Sequence, residues 1–585
     1  MAKQLYTQLP STARRLLPNR WDFIVFPLII GFLAMSTSGL RETLAPLSSL
    51  KTEAISLDPA NLPEYALRTT LRMLAAMAAS LLFTLVYGTL AAKSRRLEKV
   101  LVPILDILQS VPVLGYISFT VTFFLALFPG RILGAELAAI FAIFTSQAWN
   151  MTFSFYQSMR TIPRDLSEVS INLRLTGWQR FWKLEVPYSM PGLIWNMMMS
   201  MSGGWFFVVA SEAITVGDKT ITLPGIGAYL ATALDQRDMG AIGWVILAMT
   251  VVILIYDQFL FRPMVAWADK FRLEDTSSQD APESWVLNLI HRTRLIQQIL
   301  HPFGTVLVRT ARKPLTFKRI HHQPQAHNET LARLLDVAFA LAVAAVAGFA
   351  AWLIYKTVAY GDATHGGVGL SEVLRVIGLA LITLVRVLVL IALASLIWVP
   401  LGVLIGLRPK LAEKIQPLAQ FLAAFPANLL FPVFVVLIVR FNGNPDVWLS
   451  PLIILGTQWY ILFNVIAGAT AFPNDLREAA ASLQIRGWQW WRVVMLPGIF
   501  PYYVTGAITA SGGAWNASIV SEYVTWGKTK VVAHGLGAYI AQTTAAGDFP
   551  KILLGIAIMS ITVVLFNRLL WRPLYAIAEE KLRLN

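Results

Sequence analysis

Apolar runs of about 20 residues, each long enough to cross a bilayer core, recur along the whole chain and alternate with short polar stretches. They predict six spans in the first half, at about 22–37, 68–92, 102–129, 132–158, 192–215 and 241–262, with ends good to roughly 2–4 residues. Six more follow at about 332–356, 372–407, 416–440, 447–471, 502–525 and 549–570. An even number of spans puts both termini on one side. Cations in short loops choose that side: Lys93, Arg95, Arg96 and Lys99 follow the second span, and Arg408, Lys410 and Lys414 follow the eighth. Both termini are therefore expected to be cytoplasmic. The first run, from Phe23, lacks a small-residue cleavage site and reads as a retained span.

The polar segments show that the pattern is written twice. Pro163, Asp165, Leu166, Glu168, Leu173, Gly177-Trp178-Gln179, Pro187 and Pro191 recur 310 residues later as Pro473, Asp475, Leu476, Glu478, Leu483, Gly487-Trp488-Gln489, Pro497 and Pro501. These are ten identities over 29 positions, where unrelated segments would share about two. At the same offset Trp205 pairs with Trp515, Glu212 with Glu522, Gly225-Ile-Gly227 with Gly535-Leu-Gly537, and Arg262-Pro263 with Arg572-Pro573. Upstream the offset is 314, pairing Arg72 with Arg386, Gly88 with Gly402 and Pro112 with Pro426. Two halves of six spans in the same orientation make a parallel repeat about an axis along the membrane normal. The expected organisation is a first domain at 1–270 with its loop at 162–191, a linker at 271–330, and a second domain at 331–585 with its loop at 472–501.

Composition narrows the class. Hydrophobic residues make up 56% of the 585, charged residues only 14%, and mean hydropathy is +0.60. A soluble domain carries about 25% charged residues. The expected fold is an all-α polytopic membrane protein of about twelve transmembrane helices. The net charge of +15 follows from the positive-inside bias and does not call for nucleic acid. With no cysteine, disulfides and thiolate metal sites are excluded. The linker carries seven Lys or Arg and no acid between Ser284 and Gln325, with five of the seven histidines. Trp285, Leu287, Leu289, Ile290, Leu295, Ile296, Ile299 and Leu300 fit the apolar side of a helix lying beside anionic lipid.

Each repeated loop reads as two short helices. Asp165 with Glu168, and Asp475 with Glu478, give a capping-box-like start after a proline. Gly177 or Gly487 suits the left-handed residue that ends the first helix. An aromatic second helix (Trp178, Phe181, Trp182; Trp488, Trp490, Trp491) then ends before Pro187 or Pro497. Such an element, duplicated with its spacing, suits a groove on a cytoplasmic partner. The arrangement resembles the EAA loop of ABC-importer permeases of the binding-protein-dependent type. Glu478-Ala479-Ala480, Gly487 and Pro497 match that family's pattern, and the first copy departs from it with Glu168-Val169-Ser170 before Gly177 and Pro187. The resemblance implies that each loop docks one ATPase subunit. ATP and Mg would then sit on those partners, with no cofactor bound by this chain.

Gly204-Trp205 with Glu212, and Trp515 with Glu522, are similar to the pattern of permeases for nitrate, sulfonate, taurine or bicarbonate. The whole chain thus resembles their duplicated permease component. The resemblance implies a bacterial inner-membrane importer working with two ATPases and a periplasmic or lipid-anchored binding protein. Tryptophan and glutamate are seven residues apart, two helical turns, and so share a face. A carboxylate there would repel an anion, so Glu212 and Glu522 are expected to pair with a cation or gate the route. Arg72 and Arg386 lie inside spans, where charge is costly and often functional; their guanidinium groups are candidate oxyanion ligands unless they pair with Glu212 and Glu522. Gly527-Lys528-Thr529 lacks the earlier glycine of a P-loop, and no catalytic constellation is present. The chain is not expected to be an enzyme. The alternative to an importer permease is a twelve-span secondary transporter driven by an ion gradient.

Overall fold

Helix α1 (Leu62–Lys93) shows how an apolar run becomes a packed span. Small or slim residues at three- and four-residue intervals, among them Ala66, Met73, Ala76, Ser80, Thr84, Gly88 and Ala91, are buried, while Leu82, Val86 and Leu90 face outward. The buried stripe lies along α4 (Ile132–Arg160), close enough that a Cβ on Gly88 would meet the Phe155 ring at 2.8 Å. The equivalent helix of the second half, α13 (Leu370–Gly406), brings Gly402 equally close to Val465. Without a hydrophobic force between helices in lipid, such close approach is what holds them together. The computed structural model describes residues 55–110, 113–216, 219–271, 284–314, 366–470, 472–527 and 529–581, with most of 341–360.

In chain order the first half continues from α1 with α2 (Arg95–Ser110), α3 (Val113–Leu127) and α4. The loop helix α5 (Arg164–Asn172) and the turn α6 (Gly177–Arg180) follow, then the long α7 (Val186–Ser211). A hairpin, β1 (Ala213–Val216) and β2 (Lys219–Thr222), precedes α8 (Ile226–Gln236), α9 (Met239–Tyr256) and α10 (Arg262–Ala268). The linker contributes α11 (Trp285–Arg292) and α12 (Arg294–Arg312). The second half holds α13, α14 (Pro409–Ala424), α15 (Phe431–Phe441), α16 (Pro445–Trp448), α17 (Ser450–Leu455) and α18 (Trp459–Thr470). It then repeats the rest: α19 (Asn474–Ser482), α20 (Gly487–Trp490), α21 (Leu496–Ser521), β3 (Tyr523–Trp526), β4 (Thr529–Val532), α22 (Leu536–Ala546), α23 (Phe549–Phe566) and α24 (Arg572–Lys581).

Among the described residues, seven helices are long and apolar enough to cross a membrane, or nine if two bent pairs each count as one. The spans expected at 22–37 and over most of 332–356 lie outside the described residues, apart from a helical stretch at 351–360. The span expected at 102–129 is divided between α2 and α3. Its counterpart bends by 80° between Leu418–Ala424 and Ala427–Phe441. The cause is Pro426, which forces the preceding Phe425 into an extended conformation with ψ 127° and so ends α14.

Both loops depart from the expected geometry. Pro163 and Pro473 occupy the N-caps of α5 and α19, with no side-chain cap, so the Asp–Glu capping box does not form. Asp165 and Asp475 stand in the first turn, where a carboxylate complements the helix dipole. The left-handed residues that end these helices are Arg174 and Gln484, not Gly177 and Gly487. Each glycine instead opens the next helix, and only Gly487 has positive φ.

Nor does a helix stop before Pro187 or Pro497. A π-turn (Phe181–Glu185, Trp491–Met495) leads straight into α7 or α21, making one helical run from Gly177 to Ser211 and from Gly487 to Ser521. Similar turns at Asp257–Phe261 and Asn567–Trp571 precede Pro263 and Pro573. In all four the proline comes two residues after the turn. The wider i→i+5 spacing accommodates a residue that has no N–H and would clash with the preceding turn.

The halves interlock through hydrogen bonds between their helices and hairpins. Val113 N at the start of α3 donates to Asn516 Oδ1 on α21 at 2.6 Å. Across the pseudo-axis, Ser202 Oγ on α7 donates to Ala423 O on α14. At the hairpin end, Gly527 N donates to Leu234 O at 3.0 Å, and Arg237 Nη2 to Thr529 Oγ1 at 3.1 Å.

Candidate functional site: a polar cavity between two buried ion clusters

The charged residues singled out from the sequence meet in two equivalent clusters near the hairpin end of the spans. In the first, Arg72 holds Glu136 through Nε at 2.6 Å and Nη2 at 2.7 Å. Its Nη1 donates to Glu212 Oε1 at 2.7 Å and to Pro224 O at 2.9 Å. Glu212 also accepts from Thr69 Oγ1 at 2.7 Å and from Gly227 N at 2.6 Å. Arg72 is only 4% exposed. In the second cluster Arg386 donates to Glu522, to His534 O at 3.1 Å and to Asp446 Oδ1 at 3.4 Å. Glu522 accepts from Thr383 Oγ1 at 3.0 Å and Ala538 N at 3.1 Å. This cluster is open at its rim, where His534 contacts Asp446 through its own backbone N at 2.6 Å and Nδ1 at 2.9 Å.

These bonds change how the arginines are read. Each nitrogen of the Arg72 guanidinium donates to a protein acceptor, which is the pairing that the sequence left open beside oxyanion binding. The pairing alternative describes both arginines. Trp205 and Trp515 are buried, Trp205 edge-on to Tyr256. Two members were missed in the sequence, Glu136 with Asp446 and Thr69 with Thr383, although they obey the offsets of 310 and 314 that pair the others.

The clusters fix the hairpin ends of α7 and α21. Gly225 and Gly227 form a close-packing surface: Gly225 caps α8 against Glu212, and Gly227 lies under Val209. A Cβ on Gly227 would stand 2.2 Å from Val209 O, a backbone atom that cannot swing away. Gly227→Ala is therefore expected to lower stability by about 1–3 kcal/mol or more, read as the thermal unfolding midpoint in detergent. Gly203→Ala, with nothing within 4 Å of the new methyl, is the control and should leave the midpoint unchanged.

Between the clusters and the loops, α7 and α21 face each other across a cavity of about 130 Å³. Both halves line it at matching positions: Ser202 and Gly203 from α7, Gly512 and Gly513 from α21, then Phe206 and Asn516 one turn on. Gln109, Asn150, Thr457 and Tyr460 add polar groups, and Trp149 closes one wall. Gln109 Nε2 donates to Asn150 Oδ1 at 3.0 Å, while the buried Trp149 Nε1 has no partner among the described residues. The lining contains no Asp, Glu, Lys, Arg or His among the described residues. A solute there would meet neutral donors, acceptors and ring faces.

A pseudo-twofold helical membrane protein with a polar cavity lined by both halves, hairpins at one end of its spans and matched loops at the other, belongs to the class of transport proteins. The chain belongs to the family of binding-protein-dependent transport system inner membrane components, whose model matches it twice, at residues 59–261 and 398–578. It is similar to the bicarbonate transport system permease protein of Synechococcus elongatus, with 24% identity over 274 residues covering 44% of this chain and 92% of the relative. The nitrate import permease protein of Leptolyngbya laminosa is 26% identical over 187 residues, 32% of this chain and 63% of that one. A glycine betaine/proline betaine transport system permease protein of Escherichia coli is 26% identical over 238 residues, 40% and 61% respectively. The chain is thus a multi-pass permease of an ABC importer and not an enzyme; the family works with ATPase and substrate-binding partners.

Proposed function

We propose that this chain supplies both permease halves of its importer and moves a small anion such as bicarbonate or nitrate. The domains are 1–270 and 331–585, joined by the linker 271–330. The observation that carries this reading is the cavity on the pseudo-axis. Its neutral donors suit a small oxyanion, and the acids Glu136, Glu212 and Glu522 of the two clusters are held by arginine. Fixed charge in the lining would trap or repel such a solute; neutral hydrogen-bonding groups let it enter and leave. Arg72, Arg386, Glu212, Glu522, Trp205 and Trp515 then frame the pathway without touching the solute. The names of the bicarbonate and nitrate relatives point the same way.

Each loop docks one ATPase subunit, so the chain binds two. Asp165, Glu168, Gly177 and Pro187 serve one, and Asp475, Glu478, Ala479, Ala480, Gly487 and Pro497 the other. ATP and Mg are held by those subunits. Ser170 and Ala480, at matching positions, are buried behind the loop helices, leaving Val169, Ile171, Leu173, Leu476 and Leu483 exposed toward a partner. A substrate-binding protein, free in the periplasm or lipid-anchored, docks at the hairpin end, and both termini are cytoplasmic. Closure of the ATPase pair draws the loops together, and the halves rock about the pseudo-axis to expose the cavity to alternate sides.

The test is purification of the tagged chain coexpressed with its ATPase, followed by uptake in proteoliposomes. Two ATPase copies per chain are expected, with uptake of labelled bicarbonate or nitrate in preference to glycine betaine. A chain that recovers no ATPase and transports on an ion gradient would return the secondary-transporter alternative. Glu478→Lys is expected to reduce ATPase stimulation more than Glu168→Lys, because the second loop keeps the family's Glu-Ala-Ala pattern. Equal losses would sink that distinction.

A further inference from the structure

The linker grips the first loop through a contact whose chemistry the second loop repeats and leaves open. The last-turn carbonyls of a helix lack the amide four residues on. At the end of α12 two of them are taken by the first loop: Trp178 Nε1 donates to Thr310 O at 2.7 Å, and Gln179 Nε2 to Arg312 O at 2.9 Å. A capping box sets Gln179 for this task, its Oε1 accepting from Thr176 N while Thr176 Oγ1 accepts from Gln179 N. The other end of the linker is anchored as well. Ser284 caps α11, Trp285 Nε1 donates to Gln258 Oε1 at 3.1 Å, and the Trp285 ring meets Phe259 edge-on.

Gly487-Trp488-Gln489 repeats the gripping tripeptide in the same helical turn, α20. There Trp488 is 74% exposed and Gln489 is exposed, and no side-chain partner for either is present among the described residues. Leu483 and Val493 beside them are exposed too. A protruding indole with two exposed aliphatic side chains is characteristic of a contact surface, and its N–H with the neighbouring amide can donate to a partner there.

Resting on the importer reading, we infer that Trp488 and Gln489 form a seat for the C-terminal turn of an α-helix belonging to the ATPase subunit that docks on the second loop. At the first loop the linker fills the same seat. The chain itself supplies the template for the occupant: a helix end offering carbonyls two residues apart, with basic residues such as Arg309 and Arg312 in its last turn. The two docking sites are then unequal. One ATPase meets α5 with the linker already in place, and the other meets α19 together with an open Trp–Gln seat.

A photo-crosslinking residue at position 488 of the full chain, purified with its ATPase and mapped by mass spectrometry, tests this. Cross-links to the last turn of one ATPase helix are expected, while the same residue at position 178 should label 308–313 of this chain. Trp488→Ala with Gln489→Ala should weaken ATPase retention about tenfold or more. Trp178→Ala with Gln179→Ala should cost less retention but speed tryptic cleavage at Arg309 and Arg312. If the ATPase copurifies yet position 488 labels only this chain, a second copy or lipid, or nothing, the inference fails and the importer reading stands. Equal loss of retention from the two double variants would also overturn it. Failure of the unaltered chain to recover any ATPase would instead sink the importer reading on which it rests.

Discussion

Arg72→Met is expected to destabilise the protein by about 3–5 kcal/mol, the usual consequence of removing one partner from a buried ion pair. Methionine keeps much of the stem's volume, so packing is nearly preserved and the loss is electrostatic. Glu136 and Glu212 would face each other without a cation, and Pro224 O would lose its donor. Arg386→Met should cost less. Its partner Asp446 is partly exposed and keeps two contacts from His534, so water and the histidine soften the change. The measurement is the thermal unfolding midpoint of the two purified variants, beside uptake. An Arg72→Met chain as stable as the parent but dead in transport would show that the guanidinium serves the solute and not the frame. Adding Glu136→Gln and Glu212→Gln to Arg72→Met should recover part of the lost stability, because the stranded charges are what makes the single change costly.

The clusters also show how far one sequence can be read. Spans were legible because lipid demands long apolar helices with every backbone group satisfied internally. The duplication was legible because equal offsets survive where residue identity does not. That logic could have reached Glu136 and Asp446, but a glutamate matched to an aspartate carries no identity to notice. Pairing of Arg72 with Glu212 was open as an alternative and could not be chosen without knowing that α1, α4, α7 and α8 converge. The loop details were misread for a local reason. A glycine after a short helix usually marks a left-handed cap, yet here Arg174 and Gln484 take that conformation and the glycine begins the next turn. Likewise, a proline predicts a helix end, and only the π-turns before Pro187 and Pro497 let each helix continue. The two hairpins are too short for alternation to show, four residues to a strand.

Filling the cavity is expected to abolish transport and leave the fold intact. Gly512→Trp and Gly203→Trp place an indole at the pseudo-axis from opposite halves, and at both positions a new Cβ meets nothing within 4 Å. Neither substitution need disturb the helix crossing, in contrast to Gly204, where a Cβ would stand 2.6 Å from Gln147, or to Gly513, 2.4 Å from Thr457. A cavity of about 130 Å³ cannot hold both an indole and a solute. Uptake should therefore fall at least 100-fold, equivalent to about 2.7 kcal/mol or more on the limiting barrier, while the unfolding midpoint and ATPase recovery stay near those of the parent. Gly512→Ala should retain most activity, since a methyl leaves room. Wild-type uptake by either tryptophan variant, with its fold verified, would place the route elsewhere. Loss of uptake in both, arising from residues 309 positions apart that meet across the axis, would mark one shared pathway in place of two.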